Sequence, residues 1–309
     1  MPDIAAALKF QKKMIGIESD YLAQIEAYRR ETRRALLEIV ERSGVSRPAV
    51  VLMQKEIDAL AKQVAGLAGK TSGDVKTTVG NYTRKQIEVA EKVGLVDSAN
   101  IAPIVAAGAP AAKDIQESVM TSESAWVAQL QTSLQVNAAR LRLSGATPEE
   151  ISNRLLSEDM ADGRASVWAA SGNQAQTEET ANLWTLGAGL VGAYLSLFNE
   201  TQPDVEYQKE IVSTIDERTT DCCLRAHGQI QNLEDPFILT GTPRFADEIQ
   251  DPPFHWFCRS SEVLYRPEFE SIGITTEEMI DAAQAELIAR EDGSRVKIYP
   301  SHATARRPG

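Results

Sequence analysis

Residues 216–228 read DERTTDCCLRAHG and residues 251–259 read DPPFHWFCR, and these two segments carry most of the reactive side chains of the chain. All three cysteines and two of the three histidines lie between Cys222 and Cys258. Cysteine and histidine are kept more often for their chemistry than for their packing. We therefore expect this region to decide both the fold of the C-terminal part and the nature of its site.

The spacing of these residues predicts a metal site. Cys223 and His227 are separated by three residues, and His255 and Cys258 by two. Two short-spaced pairs joined by a longer loop are typical of tetrahedral zinc sites, because each pair can approach one side of the ion. Adjacent side chains normally point in different directions, so only one of the two neighbouring cysteines is expected to bind. The predicted ligands are Cys223, His227, His255 and Cys258.

Three other interpretations of the same residues stay open. The cysteines can be reduced and buried, with the histidines hydrogen-bonded to loop carbonyls. Cys258 can form a disulfide with Cys222 or Cys223. Cys223 and His255 can pair as nucleophile and base, but such a pair also needs a third group that orients the base, and the sequence does not supply one.

Charged residues flank the cysteines on both sides. Asp216 and Arg218 bracket a tight turn before Cys222, and Arg259 directly follows Cys258. A carboxylate can accept backbone N–H groups of such a turn, and a guanidinium can form a forked pair with an acid or with carbonyls. We expect these charged groups to hold the two halves of the module together.

The first two-thirds of the chain has the pattern of long helices. Aromatic residues make up only 6% of the sequence, and apolar residues recur at three- and four-residue steps over residues 19–40. A helical hairpin is predicted near residues 19–68. Residues 68–80 contain Gly-Lys-Thr but lack the first glycine of a phosphate-binding loop, so they are predicted to form a flexible connection. Long helices are predicted over residues 111–200.

The character of the sequence changes after residue 200. β-Branched residues alternate from Val205 to Ile215 and predict a strand. Thr275 and Glu278 form a capping box that begins a terminal helix. The predicted fold class is mainly α, with a long helical N-terminal region, a small α+β Cys/His module and a terminal helix. The predicted domains are a helical region (residues 1–200), the Cys/His module (201–270) and the terminal helix with a tail (271–309).

Composition limits the classes of function. The net charge of −12 argues against a dedicated electrostatic contact with nucleic acid, because phosphate binding depends on clustered Lys and Arg. The longest uncharged run, residues 183–198, is shorter than the roughly 20 residues that span a bilayer, so we predict a buried helix and no membrane span. Three cysteines, two of them adjacent, suit a reducing compartment, and no signal peptide is recognisable, so synthesis is expected in a cytoplasm.

The order of the motif residues is informative beyond their chemistry. After the predicted strand come Asp-Glu-Arg-Thr at residues 216–219, Cys223 with Gly228 five residues later, Pro-Pro-Phe-His at residues 252–255 and Cys-Arg at residues 258–259. This order and spacing resembles the C-terminal domain of the phage Mu F-like head morphogenesis proteins, and the resemblance covers residues 201–270. The resemblance implies five structural motif residues, which are Asp216, Arg218, Gly228, Pro253 and Arg259.

The chain departs from the pattern of that family at two positions. Thr220 stands where the family often has its first cysteine, and Ser260 stands where it often has its last. One potential sulfur ligand is therefore missing from each half. Either the two cysteines that this chain lacks form a separate cross-link in the family, so that a metal site survives here without them, or the site of this chain is a knuckle held together by hydrogen bonds.

The resemblance implies a structural protein without turnover. Members of the family are minor capsid proteins of tailed bacteriophages that associate with the portal inside the prohead and act in head assembly, DNA packaging or delivery. The implied partners are the portal protein and the major capsid protein, with packaged DNA as a further candidate and multiple copies per particle. The implied location is the capsid interior of the virion, after assembly in the host cytoplasm, and zinc is the candidate cofactor.

Two other classes of function compete with this one. A zinc-dependent nuclease or another DNA-processing protein of the phage would pair a Cys/His knuckle with a catalytic histidine and a basic groove. A helical adaptor protein of the host could carry a zinc module. A portal or terminase gene beside the coding sequence would separate the phage protein from the host adaptor.

Overall fold

The computed structural model describes residues 3–92, 117, 124–158, 160–161, 164–201, 207–239, 247–255, 258–267 and 273–294. Within them the fold is mainly helical, with long N-terminal helices, a small strand-containing region that holds cysteine and histidine side chains, and a C-terminal helix. The predicted fold class is confirmed. The predicted tail after residue 294 and residues 111–116 of the predicted helical region lie outside the described residues.

The N-terminal region consists of helices of very different length. They are α1 (Ile4–Ser43), α2 (Arg47–Lys92), α3 (Ala125–Leu143), α4 (Pro148–Leu156) and α5 (Val167–Thr201). Thr147 caps α4, because its side chain accepts the Glu150 N–H while the Glu150 side chain accepts the Thr147 N–H. Two short strands, β1 (Met160–Ala161) and β2 (Arg164–Ala165), pair in antiparallel fashion before α5.

Helix α2 continues through residues 68–80, so the prediction of a flexible connection there is wrong. The residues that decide this are buried at helical spacing, at Val64, Thr71, Val75 and Val79. The glycines of this stretch fall on the other face, where an added Cβ would meet no atom within 4 Å. The buried stripe outweighs the low helix propensity of glycine, which costs about 1 kcal/mol per residue.

The chain divides into two compact units. One consists of residues 18–71 and 120–180, and the other of residues 1–17, 72–119 and 181–309. The second unit contains all three cysteines and all three histidines of the chain. Each unit is described separately below.

In the unit of residues 18–71 and 120–180, two adjacent glutamates organise the start of α3. Glu178 accepts the backbone N–H groups of Ala125 and Trp126 at 2.7 and 2.8 Å, which caps the helix. Glu179, which is 1% exposed, accepts the indole N–H of Trp126 at 2.7 Å and the hydroxyl of Tyr21 at 2.6 Å. These hydrogen bonds attach α3 to α5 and α1 within the unit.

The same unit contains a buried arginine. The Arg29 guanidinium lies 5.4 Å from the ring centroid of Trp126 and 4.6 Å from that of Trp168, and it donates to Ser171 Oγ at 3.0 Å. A Cβ at position 172 would lie 2.7 Å from Arg29 Nη2, so Gly172 leaves the space that the guanidinium fills. Cation–π contacts of this kind stabilise an arginine that has little access to water.

The other unit contains a three-stranded antiparallel sheet. Its strand order is β4-β3-β7, formed by β3 (Gln208–Val212), β4 (Ile230–Asn232) and β7 (Ser261–Tyr265). Strand β3 lies within the stretch of alternating β-branched residues that predicts a strand. In its register Ile211 opposes Glu262, and Glu210 opposes Val263 and Ile230. A second pair, β5 (Phe237–Ile238) and β6 (Glu248–Ile249), is also antiparallel.

Two helices accompany the sheet. Helix α6 (Asp221–Ala226) follows β3, and the terminal helix α7 (Thr276–Glu291) packs against α6. Gly228 makes this packing possible, since it has φ +78° and a Cβ there would lie 2.7 Å from Ile280 Cγ1. The predicted capping box of α7 is present, with Thr275 and Glu278 accepting each other's backbone N–H groups.

The uncharged run that begins at Leu183 is largely buried over residues 183–195, as predicted. Leu183, Trp184, Leu186 and Leu190 are each at most 2% exposed. A Cβ at position 187 would lie 2.7 Å from Met14 Cε, so the glycine there permits close packing. Among the described helices, none has the length and apolar character that crossing a membrane requires.

Candidate metal centre

The first half of the site follows β3. A turn begins at Asp216, whose Oδ1 accepts the Arg218 N–H at 2.9 Å. It ends at Thr220, which has extended backbone (φ −79°, ψ 157°) and is the N-cap of α6. Cys222 and Cys223 therefore lie in the first turn of a short helix whose start is fixed by the preceding turn.

The second half of the site comes from the loop after β6. Pro252 and Pro253 are joined by a cis peptide bond, and His255 and Cys258 follow. The Cys258 N–H donates to the His255 carbonyl at 3.0 Å, so a single tight turn carries both side chains. The two pairs of the sequence thus come from two separate turns.

The two halves meet in a group that we call the Cys/His cluster, consisting of Cys222, Cys223, His255 and Cys258. Cys223 Sγ lies 2.9 Å from His255 Nε2 and 3.6 Å from Cys258 Sγ. The candidate ligand atoms of Cys222, Cys223 and His255 all lie within 4.8 Å of one another. Thr220 Oγ1 completes the group, at 2.9 Å from Cys222 Sγ and 2.7 Å from His255 Nε2.

The Cys/His cluster is closed to solvent. Its cysteines are 1–2% exposed and His255 is 7% exposed. Apolar side chains from the sheet and both turns surround the sulfur atoms, namely Ile211, Ala226, Phe237, Leu239 and Phe254. All three cysteines are free thiols. Buried polar groups need partners, and here most of the partners are other members of the cluster.

The two adjacent cysteines differ in protonation. The hydrogen bond with Cys223, supported by His255 and Thr220, lowers the pKa of Cys222 to about 4. Burial and the neighbouring sulfur atoms of Cys222 and Cys258 raise the pKa of Cys223. Cys222 is therefore the favoured thiolate, and Cys223 keeps its proton and donates it.

The other turn contributes a second acid–base pair. Burial would raise the pKa of Cys258, but the Cys223 hydrogen bond and the His255 charge lower it to about 6. Burial also opposes a charge on His255, yet the hydrogen bond with Cys222 and the charges of Cys258 and Cys222 raise its pKa. Negative charge on sulfur is thus balanced by positive charge on imidazole, and a metal cation would displace the remaining protons.

The donor set fits a metal ion. Thiolate and imidazole are the ligands that soft and borderline transition metals prefer. Two sulfur ligands about 2.3 Å from one ion in tetrahedral geometry are about 3.8 Å apart, close to the 3.6 Å between Cys223 Sγ and Cys258 Sγ. Cys222, Cys223 and His255 form a group that could hold a metal ion. Cys258, a predicted ligand, lies outside that group of three, but its sulfur contacts Cys223 Sγ at 3.6 Å.

The structure does not bring His227, a predicted ligand, into this group. His227 Nδ1 accepts the backbone N–H of Ser213 at 2.8 Å, which ties the end of α6 to the end of β3. Burial lowers the pKa of His227 to about 4, so the ring is neutral and can accept this hydrogen bond. His227 thus bonds the backbone, as in the interpretation without a metal, but it accepts an N–H group where that interpretation expected a bond to a loop carbonyl.

The charged flanking residues connect the two halves. Arg259 Nη1 donates to Asp216 Oδ2 at 2.7 Å and Arg259 Nη2 donates to Asp216 Oδ1 at 2.6 Å, which forms a forked ion pair. The Arg259 side chain is 4% exposed. Burial opposes ionisation of Asp216, but Arg259 and the hydrogen bond that the Arg218 N–H donates keep the pKa of Asp216 below its ordinary value. The turn of the first half is thereby fixed to the residue that follows Cys258.

Two residues of the site were not predicted from the sequence. Cys222 was expected to point away, but in the first turn of α6 its sulfur lies beside that of Cys223. Thr220 is not a residue type that binds zinc, and its only signal in the sequence is that threonine, two residues before Cys222, is a favoured type at the start of a helix. Comparisons with protein-family models, with curated proteins and with solved structures give no match.

Proposed function

We propose that this chain is a structural minor head protein of a tailed bacteriophage, with a C-terminal module that a zinc ion stabilises. One observation carries the proposal: the residues of the Mu F-like pattern, distant in sequence, form one buried cluster with an attached ion pair. The proposed ligands are Cys222, Cys223, His255 and Cys258. Zinc would supply charge neutralisation and cross-linking of the two turns, without turnover.

The burial of the Cys/His cluster supports a structural role for the metal. Structural zinc sites take four protein ligands, whereas catalytic sites keep a position open for water or substrate. The three cysteines are at most 2% exposed, and apolar side chains pack around them together with the Thr220 hydroxyl. A substrate would have no direct approach to an ion bound by these four residues.

The position of Thr220 also supports the comparison with the phage family. Thr220 stands where the family often has its first cysteine, and its hydroxyl lies 2.7 Å from His255 Nε2. The position therefore borders the cluster. Ser260 stands at the other position where the chain departs from the family, and its Oγ forms a hydrogen bond with Ser213 Oγ at 2.9 Å. Both replacements are hydroxyl residues that make hydrogen bonds in the places that the family gives to sulfur.

Zinc content tests the metal part of the proposal. The parent chain, purified without added metal, should contain about one zinc ion per chain by elemental analysis. Cys223→Ser and His255→Ala should lose it. His227→Asn should keep it, because asparagine can still accept the Ser213 N–H. A well-folded parent without zinc would overturn the metal role, and zinc loss in His227→Asn alone would overturn the proposed ligand set.

The composition of particles tests the phage role. Mass spectrometry should find the chain in purified virions and in proheads that lack DNA, at several copies per particle. Particles assembled without the gene should be defective in head assembly, packaging or delivery. Absence of the chain from both particle types would overturn the head role. DNA cleavage by the zinc-loaded chain, lost in Cys223→Ser, would instead support the nuclease alternative.

A further inference from the structure

The terminal helix α7 reaches the turn that carries the first two cysteines. Arg290 Nη1 donates to the Thr219 carbonyl at 2.7 Å and to Asp221 Oδ1 at 3.0 Å. Arg290 Nη2 donates to the Asp216 carbonyl at 2.9 Å. One guanidinium therefore binds the carbonyls of Asp216 and Thr219 in the turn before α6 and the side chain of Asp221, the first residue of α6.

Arg290 is held in place by its own helix. Its Nε donates to Glu286 Oε1 at 2.9 Å, one helical turn earlier. The side chains of Arg290 and Glu286 are 7% and 6% exposed. A guanidinium with a planar set of donors, shielded from water and fixed by a buried carboxylate, gives strong and directional hydrogen bonds. This contact differs from an exposed surface ion pair, which contributes little.

The residues that Arg290 binds lie on both sides of Thr220. Thr219 precedes it and Asp221 follows it, and Thr220 Oγ1 contacts both Cys222 Sγ and His255 Nε2. A shift of this turn would therefore move the hydroxyl and the first turn of α6 together. The link from α7 to the Cys/His cluster thus passes through a single short segment.

A second contact fixes the position of α7. Gly228, at the end of α6, has φ +78°, and its missing side chain lets Ile280 approach closely. Ile280 and Arg290 lie ten positions apart on α7, so the helix contacts α6 at one end and the preceding turn near the other. Both ends of the short cysteine helix are therefore held by the terminal helix.

We infer that Arg290 is a positioning residue for the Cys/His cluster, which keeps Cys222 and Cys223 in the geometry that a metal ion requires. This inference rests on the proposed metal site. Arg290 contacts none of the four proposed ligands in the described structure, so its effect is indirect. Residues that orient metal ligands from outside typically change metal affinity by 10–100-fold. We expect a loss of about tenfold from removing Arg290.

Cobalt substitution tests the inference, because the visible spectrum of Co²⁺ reports the geometry of its ligands. Full-length parent, Arg290→Ala, Arg290→Lys and the control Glu291→Gln are titrated with Co²⁺ in competition with a chelator. Glu291 is exposed and neighbours Arg290 on α7. We expect Arg290→Ala to bind about tenfold more weakly with an altered d–d envelope. Lysine should rescue part of this, and Glu291→Gln should match the parent.

A metal-free measurement keeps the inference testable if the parent binds no metal. The metal-free chains are treated with iodoacetamide, and alkylation of Cys222 and Cys223 is followed by peptide mass spectrometry. These cysteines are 2% exposed, so their alkylation in the parent should be slow. Arg290→Ala should accelerate it several-fold at these two positions, whereas Glu291→Gln should not.

The possible failures are distinguishable. A parent that binds no cobalt overturns the proposed metal site, and the alkylation rates alone then decide whether Arg290 positions the thiols. A parent that binds cobalt, with Arg290→Ala equal to it in affinity, spectrum and alkylation, overturns the inference and leaves the metal site intact. If Arg290→Ala loses its helical circular dichroism, the test rests on Arg290→Lys. A lysine variant that equals the parent in cobalt affinity, cobalt spectrum and alkylation rate would overturn the inference.

Discussion

In the unit of residues 1–17, 72–119 and 181–309, buried charged side chains differ in whether a hydrogen-bond partner balances their charge. Lys209, 1% exposed, donates to the Gln250 carbonyl at 2.6 Å and to Asp251 Oδ1 at 3.0 Å. Arg259 has its forked pair with Asp216. Glu210 is fully buried, and among the described residues neither of its carboxyl oxygens makes a hydrogen bond of normal length and angle, although the Thr276 hydroxyl is close enough to affect its pKa. An unpaired buried carboxylate is costly, so Glu210 should be protonated in the folded chain.

Glu210 therefore predicts a decrease in stability as the pH rises. Burial raises its pKa from 4.5 to about 7, and the Thr276 hydroxyl opposes this only in part. Between these values the folded chain holds a proton that the unfolded chain has lost, so the free energy of unfolding falls as pH increases. Glu210→Gln should remove the part of this slope that Glu210 contributes, while buried Glu262, whose pKa is also raised, keeps its own part. The substitution should stabilise the protein above pH 7 by on the order of 2–3 kcal/mol.

Urea denaturation at a series of pH values measures this effect. Glu234→Gln is the matched control, since Glu234 is exposed in the same unit. The control should retain the slope of the parent. A Glu210→Gln variant whose stability follows the parent across the whole range would show that the carboxyl group is ionised in the folded state.

Helices and strands were predictable to the extent that their buried faces repeat. The stripe along α2 and the capping boxes of α4 and α7 are local patterns. Strand β3 was predicted from alternating apolar residues, but residues 209–212 are all buried, so its buried positions do not alternate. The prediction of a loop over residues 68–80 was wrong because the failure of the phosphate-loop motif says nothing about whether a helix continues through the segment. The positions of its glycines and threonines relative to Val75 and Val79, which are buried, decide the outcome.

The candidate site was predictable only in part, for a geometric reason. Short spacings along the chain located the two turns, but they do not specify which side chain of each turn faces the other. Cys222 faces the group and His227 faces β3, because α6 begins directly before Cys222 and ends directly before His227. Arg290 is distant in sequence and belongs to no spacing pattern, so only the packing of α7 reveals it.

The approach of α7 to α6 predicts a specific sensitivity at Gly228. Gly228→Ala should lower the free energy of unfolding by about 2–4 kcal/mol, because it combines an unfavourable positive φ with a clash against Ile280. Gly73→Ala is the control within α2, where an added Cβ meets nothing within 4 Å. It should stabilise the chain by about 0.5–1 kcal/mol.

Chemical denaturation of both glycine variants gives the comparison directly. Opposite signs for the two substitutions are expected. A Gly228→Ala variant as stable as the parent would mean that α7 does not pack closely against the end of α6.

For the molecule as a whole, the two units should respond differently to metal. The unit of residues 18–71 and 120–180 is held by the Glu178, Glu179 and Arg29 contacts and contains none of the proposed ligands. The other unit is assembled from three separate segments of the chain. Within it, the Cys/His cluster joins two turns that otherwise share one forked ion pair and a small apolar core.

Removal of zinc by a chelator should therefore loosen one unit selectively. Hydrogen–deuterium exchange should accelerate by tenfold or more in β3, α6 and residues 251–255, because metal binding contributes directly to the folding of such modules. Amides of α3 and α4 should keep their exchange rates. Equal acceleration in α3 and α6, or none in either, would contradict a local stabilising role for the metal. Cys223→Ser without chelator should reproduce the pattern.

The burial of all three thiols also makes the chain suitable for labelling with a single dye. Leu143, the last residue of α3, is 85% exposed, whereas no native cysteine is more than 2% exposed. A cysteine introduced by Leu143→Cys would react with a maleimide fluorophore well before the native thiols. Stepwise photobleaching of individual assemblies of the labelled protein could then count how many chains each one contains.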